Sequence, residues 1–349
     1  MPTITDVSRK AGVSRSTVSR LIAGNGYVSE SARQAVEAAI AELGYRPNTM
    51  ARGLRSNRSN LIGGVVVNVA SPFYAQMVGG IQETCRSASK SFLVASGYAD
   101  KDQEARAIIE LIDRSCDGLI LYLENPLRQD VLAMIEQSQI PVVTIGGDEC
   151  PVARAVVALD NHAGARDGMR LLLRQGHRRI AYLSGGLMYR DTHERLRGVA
   201  SALAEHGMRL DDIVIVHGSF EERFGMEATT ALLAEHPEIT AIFGGDDDIA
   251  AGALLTLKRA LKRVPEDISL LGFDDNFHAR HLTPGLTTVR QPVDEAGRLA
   301  ARLLLALLDG EPPPERHITI RTELIVRDSV GPVPHPAPLR KELAPAART

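Results

Sequence analysis

From Leu61 onward, short apolar runs alternate with longer segments whose apolar residues recur at helical spacing. Examples of the runs are Ile62 to Val69, Phe92 to Ala95, Gly118 to Leu123, Val142 to Ile145, Ile180 to Leu183, Ile213 to Val216, Ala241 to Phe243 and Ile268 to Phe273. Helical segments between and after them cover roughly 73–90, 102–115, 161–176, 221–235, 247–262 and 292–309. Strands this apolar need cover on both faces, which a parallel sheet flanked by helices supplies. About 270 residues hold more such units than one ordinary sheet, so two doubly wound lobes are predicted. No repeat at solenoid spacing is visible.

In an open α/β sheet, ligands bind in the crevice outside the carboxyl ends of the strands. Residues 68–74, Tyr122, Asp246 to Asp248, and Asp274 with Asp275 follow apolar runs and are placed there by the pattern. A single Asp in such a position is more often a helix cap or a turn residue. The combination is more specific. Only fourteen residues are aromatic, and Phe73, Tyr74, Tyr122, Tyr189 and Phe220 fall at predicted strand ends or in the loops after them. Rings there can stack on the apolar face of a sugar or a base, while carboxylates and an arginine hydrogen-bond hydroxyl groups. Asp246, Asp247, Asp248, Asp274 and Asp275 could in principle collect Mg²⁺. No phosphate-cradling loop or dinucleotide fingerprint follows the first strand, and no nucleophile stands paired with a base. The reading is therefore of a binding protein, with no enzyme activity, catalytic residue, metal or cofactor assigned.

Charge is distributed unevenly. The net charge of −3 over 349 residues is uninformative, but residues 1 to 60 hold nine Lys and Arg against four Asp and Glu, or +5. The remaining 31 basic and 39 acidic residues leave the body at −8. A basic head on an acidic body suggests a polyanion-binding module. The head reads as three short helices. Thr3 and Asp6 have capping-box spacing, with Ile4, Val7 and Ala11 on one face before Gly12. Ser14 can cap a second helix that turns Val18, Leu21 and Ile22 inward and Arg15, Ser16, Ser19 and Arg20 outward, ending at Gly24-Asn25-Gly26. Ser29 can cap a third, carrying Val36, Ile40 and Leu43 before Gly44. Two helices joined by a short glycine turn, the second displaying Arg and hydroxyls, have the shape of a helix-turn-helix reader of the major groove. By periodicity alone, a small bundle with a solvated basic face is the alternative.

The run TITDVSRKAGVSRSTVSRLIAGNGYVSESARQAVEAAIAELGYRPNTMARGL resembles the head of the lactose-repressor/galactose-repressor family of bacterial transcription regulators. Asp6-Val7, Ala11-Gly12-Val13-Ser14, Thr17-Val18-Ser19-Arg20 and Gly44-Tyr45-Arg46-Pro47-Asn48 carry the likeness. The resemblance implies that Arg15, Ser16 and Arg20 read base edges, and that Thr5, Ser14, Thr17, Asn25 and Tyr45 contact the DNA backbone or support the helices. It also implies that residues 48 to 56 become a hinge helix on operator DNA, with Leu54 wedged into the minor groove, a known way of kinking a duplex. A segment this short, holding Gly53, is too weak to be helical alone.

The body resembles the same family through GHRRIAYLSG, ERLRG, GGDDDIAAGAL, ISLLGFDDN and LTTVRQP. The family's periplasmic-binding-protein-like core implies Arg195 as a bidentate ligand binder, Asp274 as the orienting acceptor, Phe220 as a stacking platform, and Asp246 and Gln291 as polar contacts. Phe73, Tyr74 and Tyr122 map to the first-lobe wall. Two departures stand out: Gly146-Gly147-Asp148, where many members have Asp or Asn followed by Arg, and Asp246, where Asn is frequent. A second carboxylate disfavours an anionic effector and tilts the reading toward a neutral hexose or glycoside, with a phosphorylated sugar or a purine corepressor as alternatives.

The expected division is a helix-turn-helix domain at 1–46, a hinge at 47–60, and an effector-binding and dimerisation core at 61–330. Within the core the first lobe takes 61–158 with 290–318 and the second 159–289 with 319–330, leaving a Pro/Ala-rich flexible tail at 331–349. Only Leu339 and Leu343 are available for a leucine heptad in that tail, which favours a homodimer over a tetramer. Cys85, Cys116 and Cys150 form no metal or disulfide pattern and read as buried thiols in a reducing compartment. With no apolar leader and no run near the roughly 18 residues a bilayer needs, the expectation is a cytoplasmic regulator of double-stranded operator DNA, with no membrane partner. Repression is the family default.

Overall fold

The computed structural model describes residues 2–23, 26–45, 58–147 and 150–333. Asn25, Leu54, most of the expected hinge, Asp148 and the tail leucines lie outside the described residues. The chain divides into two units, Met1–Asn60 and Leu61–Thr349.

The first unit is a three-helix head: α1 (Ile4–Ala11), α2 (Arg15–Ala23) and α3 (Glu30–Leu43). Each helix starts on a side chain that satisfies an otherwise orphaned amide. At α1 the capping box is complete: the Thr3 amide donates to Asp6 Oδ2 at 2.8 Å, and the Asp6 amide donates to Thr3 Oγ1 at 3.4 Å. Ser14 accepts from the Thr17 amide at 3.1 Å, and Ser29 from the Ala32 amide at 3.4 Å. One fully buried valine from each helix, Val7, Val18 and Val36, forms the centre of the core with Ala39, and Tyr45 packs at its edge.

The second unit holds two six-stranded sheets with helices on their faces. In the first, β1 (Leu61–Val66), β2 (Ser91–Ser96), β3 (Gly118–Leu121), β4 (Val142–Ile145), β5 (Ala155–Leu159) and β11 (His317–Ile320) run in the order β11-β5-β4-β3-β1-β2. The second comprises β6 (Ile180–Gly185), β7 (Val214–Gly218), β8 (Ala241–Gly244), β9 (Ser269–Asp274), β10 (Thr287–Arg290) and β12 (Glu323–Ile325). Their order is β12-β10-β9-β8-β6-β7. The helices are α4 (Pro72–Ser87), α5 (Lys101–Asp113), α6 (Gln129–Ser138), α7 (Asn161–Arg174), α8 (Arg190–Ala204), α9 (Glu222–Glu235), α10 (Asp247–Arg259) and α11 (Val293–Leu308). The chain passes between sheets after β5, after β10 and again between β11 and β12, so three strands of connection join the lobes.

The structure corrects two expectations. The second sheet is not wholly parallel, because β12 pairs antiparallel with β10, Val289 standing opposite Leu324. A two-residue link from β11 returns the chain into the neighbouring sheet, which leaves no room for a helical crossover. The runs starting at Ile62 and Gly118 stop being strand at Val66 and Leu121, short of the expected Val69 and Leu123. Their last apolar residues run past the regular ladder toward the cleft, where Val67, Tyr122 and Leu123 stay buried; the Tyr122 amide still donates to the Val65 carbonyl at 2.8 Å and the Val67 carbonyl accepts from the Tyr98 amide at 2.8 Å.

In the second lobe α9 and α10 meet at backbone contact. A Cβ on Gly225 would lie 2.1 Å from the Ile249 carbonyl oxygen, and one on Gly252 would lie 2.0 Å from that of Glu222. Overpacking at a site with no flexible neighbour costs about 1–3 kcal/mol. Gly225→Ala is therefore expected to lower the urea midpoint by that stability at an unchanged m-value; an unchanged midpoint would show that the two helices can separate freely.

Candidate functional site

On the head, α2 turns Arg15, Ser16 and Arg20 to solvent, while Ser14, Ser16 and Thr17 share hydroxyl contacts of 2.7 and 2.9 Å. Thr5 is half-buried in α1, its carbonyl accepting from the Ser8 hydroxyl at 3.1 Å. The half-buried Tyr45 closes the core behind them. Sequence reading passed over Tyr27, which lies beyond α2 and is 87% exposed. An aromatic so exposed in a head this small was legible only as a loop residue.

In the second unit, the carboxyl ends of both sheets contribute to an open-mouthed pocket. Ser71, Phe73 and Tyr74 come from the start of α4, immediately after β1. Asp191 and Arg195 come from the first turns of α8, and Phe220 from the loop after β7. Asp246 and Asp248 stand at the start of α10, and Asp274 and Asn276 at the end of β9. The Phe220 ring occupies space that a Cβ on Gly185 would fill, at 2.1 Å. Asp274 and Asp275 have φ of 111° and 53°, two successive residues in the left-handed region, a strain that tends to mark functional sites.

Arg195 is 3% exposed and has every nitrogen engaged. Its Nε donates to Asn161 Oδ1 at 2.8 Å and its Nη1 to the Gly245 carbonyl at 2.5 Å. Its Nη2 lies 3.7 Å from Asp191 Oδ2 and 3.5 Å from Asp274 Oδ1. The guanidinium sits 4.0 Å from the centroid of the Phe273 ring and 5.6 Å from that of Phe220. Burial opposes its charge, yet Asp274 and Asp191 outweigh burial and hold its pKa above the ordinary value. On the opposite wall Phe73, Tyr74 and Tyr122 form an edge-to-face cluster with centroids 4.9 to 6.2 Å apart. The Tyr122 hydroxyl donates to Asp191 Oδ2 at 2.9 Å, and the Arg190 amide donates to Glu124 Oε2 at 3.0 Å. Both bonds span the two lobes.

Of the body residues singled out by sequence, Phe73, Tyr74, Arg195, Phe220, Asp246 and Asp274 line the pocket. Tyr122 and Gln291 do not. Tyr122 is buried behind Phe73 and Tyr74, and Gln291 stands behind Asp274, donating from Nε2 to its Oδ1 at 2.7 Å. Asp247 and Asp275 are also drawn away from the pocket. Asp247 accepts from the Thr288 hydroxyl at 2.6 Å and the Asn276 amide at 2.7 Å. Asp275 is held by Arg290 at 2.8 Å and Arg327 at 2.5 Å. Ser71 and Asp248 fall in the strand-end segments that the pattern placed at the cleft, whereas the sequence reading missed Asp191 and Asn276. Asp191 carried a usable signal, since it stands four residues before Arg195 and so on the same helical face.

Two parts of the chain match family descriptions: residues 3–48 match "Bacterial regulatory proteins, lacI family", and residues 169–330 match "Periplasmic binding protein-like domain". The HTH-type transcriptional regulator GalR of Escherichia coli (strain K12) is 36% identical over 332 residues, covering 95% of this chain and 96% of that protein. The solved complex of the transcriptional regulator CelR with cellobiose is 33% identical and superimposes with a TM-score of 0.70, over 94% of this chain and all of that one. The lac repressor dimer bound to operator and the anti-inducer ONPF is 28% identical, with a TM-score of 0.84 over 95% of this chain and 99% of that one.

The cleft makes a pH prediction. Burial pushes Asp274 up to about 7 against the opposing pull of Arg195. The folded state therefore holds a proton on Asp274 that the unfolded chain has released above about pH 4. Its contribution to stability is complete below that pH and is lost as pH rises through 7. The thermal midpoint is expected to fall between pH 5 and 8, and Asp274→Asn, which mimics the protonated acid, should flatten that fall. Parallel curves for the two proteins would remove Asp274 as the titrating group.

Proposed function

This chain belongs to the lacI family of bacterial regulatory proteins, and we propose that it is a cytoplasmic homodimeric repressor whose operator affinity is set by a small sugar or glycoside in the cleft of its body. It is a DNA-binding transcriptional regulator with a ligand-binding core. The observation that carries the sugar reading is Arg195, held between Asp191 and Asp274 and flanked by aromatic rings. Rings stack on the apolar face of a pyranose, and fixed acceptors reject an analogue that lacks the matching hydroxyl. CelR, bound to cellobiose in its solved structure, is a relative with a sugar in hand. The reading assigns no catalytic step.

On operator DNA, Arg15, Ser16 and Arg20 take the base edges, with the arginines suited to guanine O6 and N7. Thr5, Ser14, Thr17, Asn25 and Tyr45 position the head, and Leu54 wedges the minor groove between two protomers. The effector acts through the bonds that join the lobes: occupancy of the wall around Asp191 biases its bond to Tyr122, and so the lobe arrangement that holds the hinges together. A ligand shifts such an equilibrium only by its differential affinity for the two arrangements.

The division of labour is tested by removing residues 1–60. The truncated body should lose specific operator binding and keep sugar binding in a thermal-shift titration. Arg195→Lys in the full chain keeps a cation between the carboxylates but loses the bonds to Asn161 and Gly245. It should bind operator normally and respond to sugar only at about tenfold higher concentration or more. A specific footprint from the truncated body, or an unaltered response from Arg195→Lys, would overturn the reading.

A further inference from the structure

The polar groups of the cleft are unequally divided between donors and acceptors. Four carboxylates line it, Asp191, Asp246, Asp248 and Asp274, against the single guanidinium of Arg195. Every donor nitrogen of Arg195 already faces Asn161, Gly245 or the Asp191–Asp274 pair, and Asn276 Nδ2 donates to Asp248 Oδ1 at 3.1 Å. Asp246 Oδ1 is taken by the Ile249 amide at 2.7 Å. Each of the four acids keeps its other oxygen without a hydrogen bond from the described residues. The surplus of acceptors extends one layer back, where the buried Gln291 Oε1 has no donor among the described residues.

We propose that the effector is a sugar bearing a protonated amine, whose ammonium sits among Asp246, Asp248 and Asp274 while its ring packs between Phe220 and the Phe73–Tyr74 pair. This rests on the reading of the cleft as a sugar site and replaces the neutral hexose expected from Asp246 alone. The sequence did not place Asp191 and Asp248 on the same wall, nor show that Arg195's donors are committed within the protein. An ammonium supplies three donors and accepts nothing, which matches an acceptor-rich wall better than a hydroxyl does. Its hydrogen bonds to carboxylates are charge-assisted and roughly twice as strong as neutral ones. Burial and mutual repulsion raise the pKa of Asp246 well above the ordinary value, and an entering cation relieves both.

The test is isothermal titration of the full chain at pH 7 with matched pairs: glucosamine, galactosamine and mannosamine, each beside its parent hexose and its N-acetyl form. One amine is expected to bind at least tenfold tighter than both neutral partners, and Asp248→Asn is expected to erase most of that preference without loss of operator binding. A neutral member binding as well as its amine, or a preference untouched by Asp248→Asn, overturns the proposal. Absence of binding by any of the three amines overturns it too. A neutral sugar that then alters operator affinity would still leave the sugar-sensing function standing, and failure of all nine compounds to bind would count against both.

Discussion

The cleft of this protein depends on burying one positive charge. A guanidinium removed from water persists only if it is paired and fully hydrogen-bonded, and the elements around Arg195 are placed to do that. Helix α8 brings Asp191 one turn below it, β9 ends on Asp274, α7 starts at Asn161, and the loop after β8 offers the Gly245 carbonyl. Phe273, in the strand beneath, supplies a ring face at 4.0 Å. Three chain segments distant in sequence, α7, the loop after β8 and β9, converge on one side chain of α8, so the geometry of the second lobe and that of its ligand wall are not separable.

The same cluster reaches the first lobe. Asp191 faces Arg195 with the oxygen that also accepts from the Tyr122 hydroxyl, and Tyr122 anchors the aromatic wall of Phe73 and Tyr74. A ligand that competes for Asp191 therefore acts on a bond between lobes rather than on a surface of one lobe. Arg190 and Glu124 provide a second link beside it. These two contacts make the cleft a two-lobed device whose closure can respond to charge, because the acceptor in each, Asp191 and Glu124, is a carboxylate.

Much of this was legible in the sequence, for local reasons. Thr3, Ser14 and Ser29 each lie three residues before the amide they cap, and the apolar residues within each head helix recur at helical spacing, so that unit could be read helix by helix. Eight of the buried parallel strands announced themselves as apolar runs, while β5 and β10 were not among the runs picked out. The short β11 and β12 did not, since His317–Ile320 is polar at alternate positions, Glu323–Ile325 is only three residues long, and both owe their pairing to strands more than thirty residues away in sequence. At the site, proximity to a strand end found Asp246 and Asp274 but could not separate them from Asp247 and Asp275, whose partners Thr288, Arg290 and Arg327 become neighbours only in the folded sheet. The left-handed φ of Asp274 and Asp275 decides which carboxylate faces the cleft, and no sequence pattern reports it.

The central claim is that operator and effector are read by two units of one chain whose equilibria are linked. Its most direct test is a pair of titrations on the full-length protein, using an operator selected from a randomised duplex pool and the sugar that binds most tightly. Operator affinity is measured with and without saturating sugar, and sugar affinity with and without saturating operator. Linkage requires the two ratios to be the same factor, of the order of 5- to 150-fold for coupling of ordinary strength. Equal ratios in that range are the predicted result; ratios of one in both directions, with both ligands bound, would contradict the account.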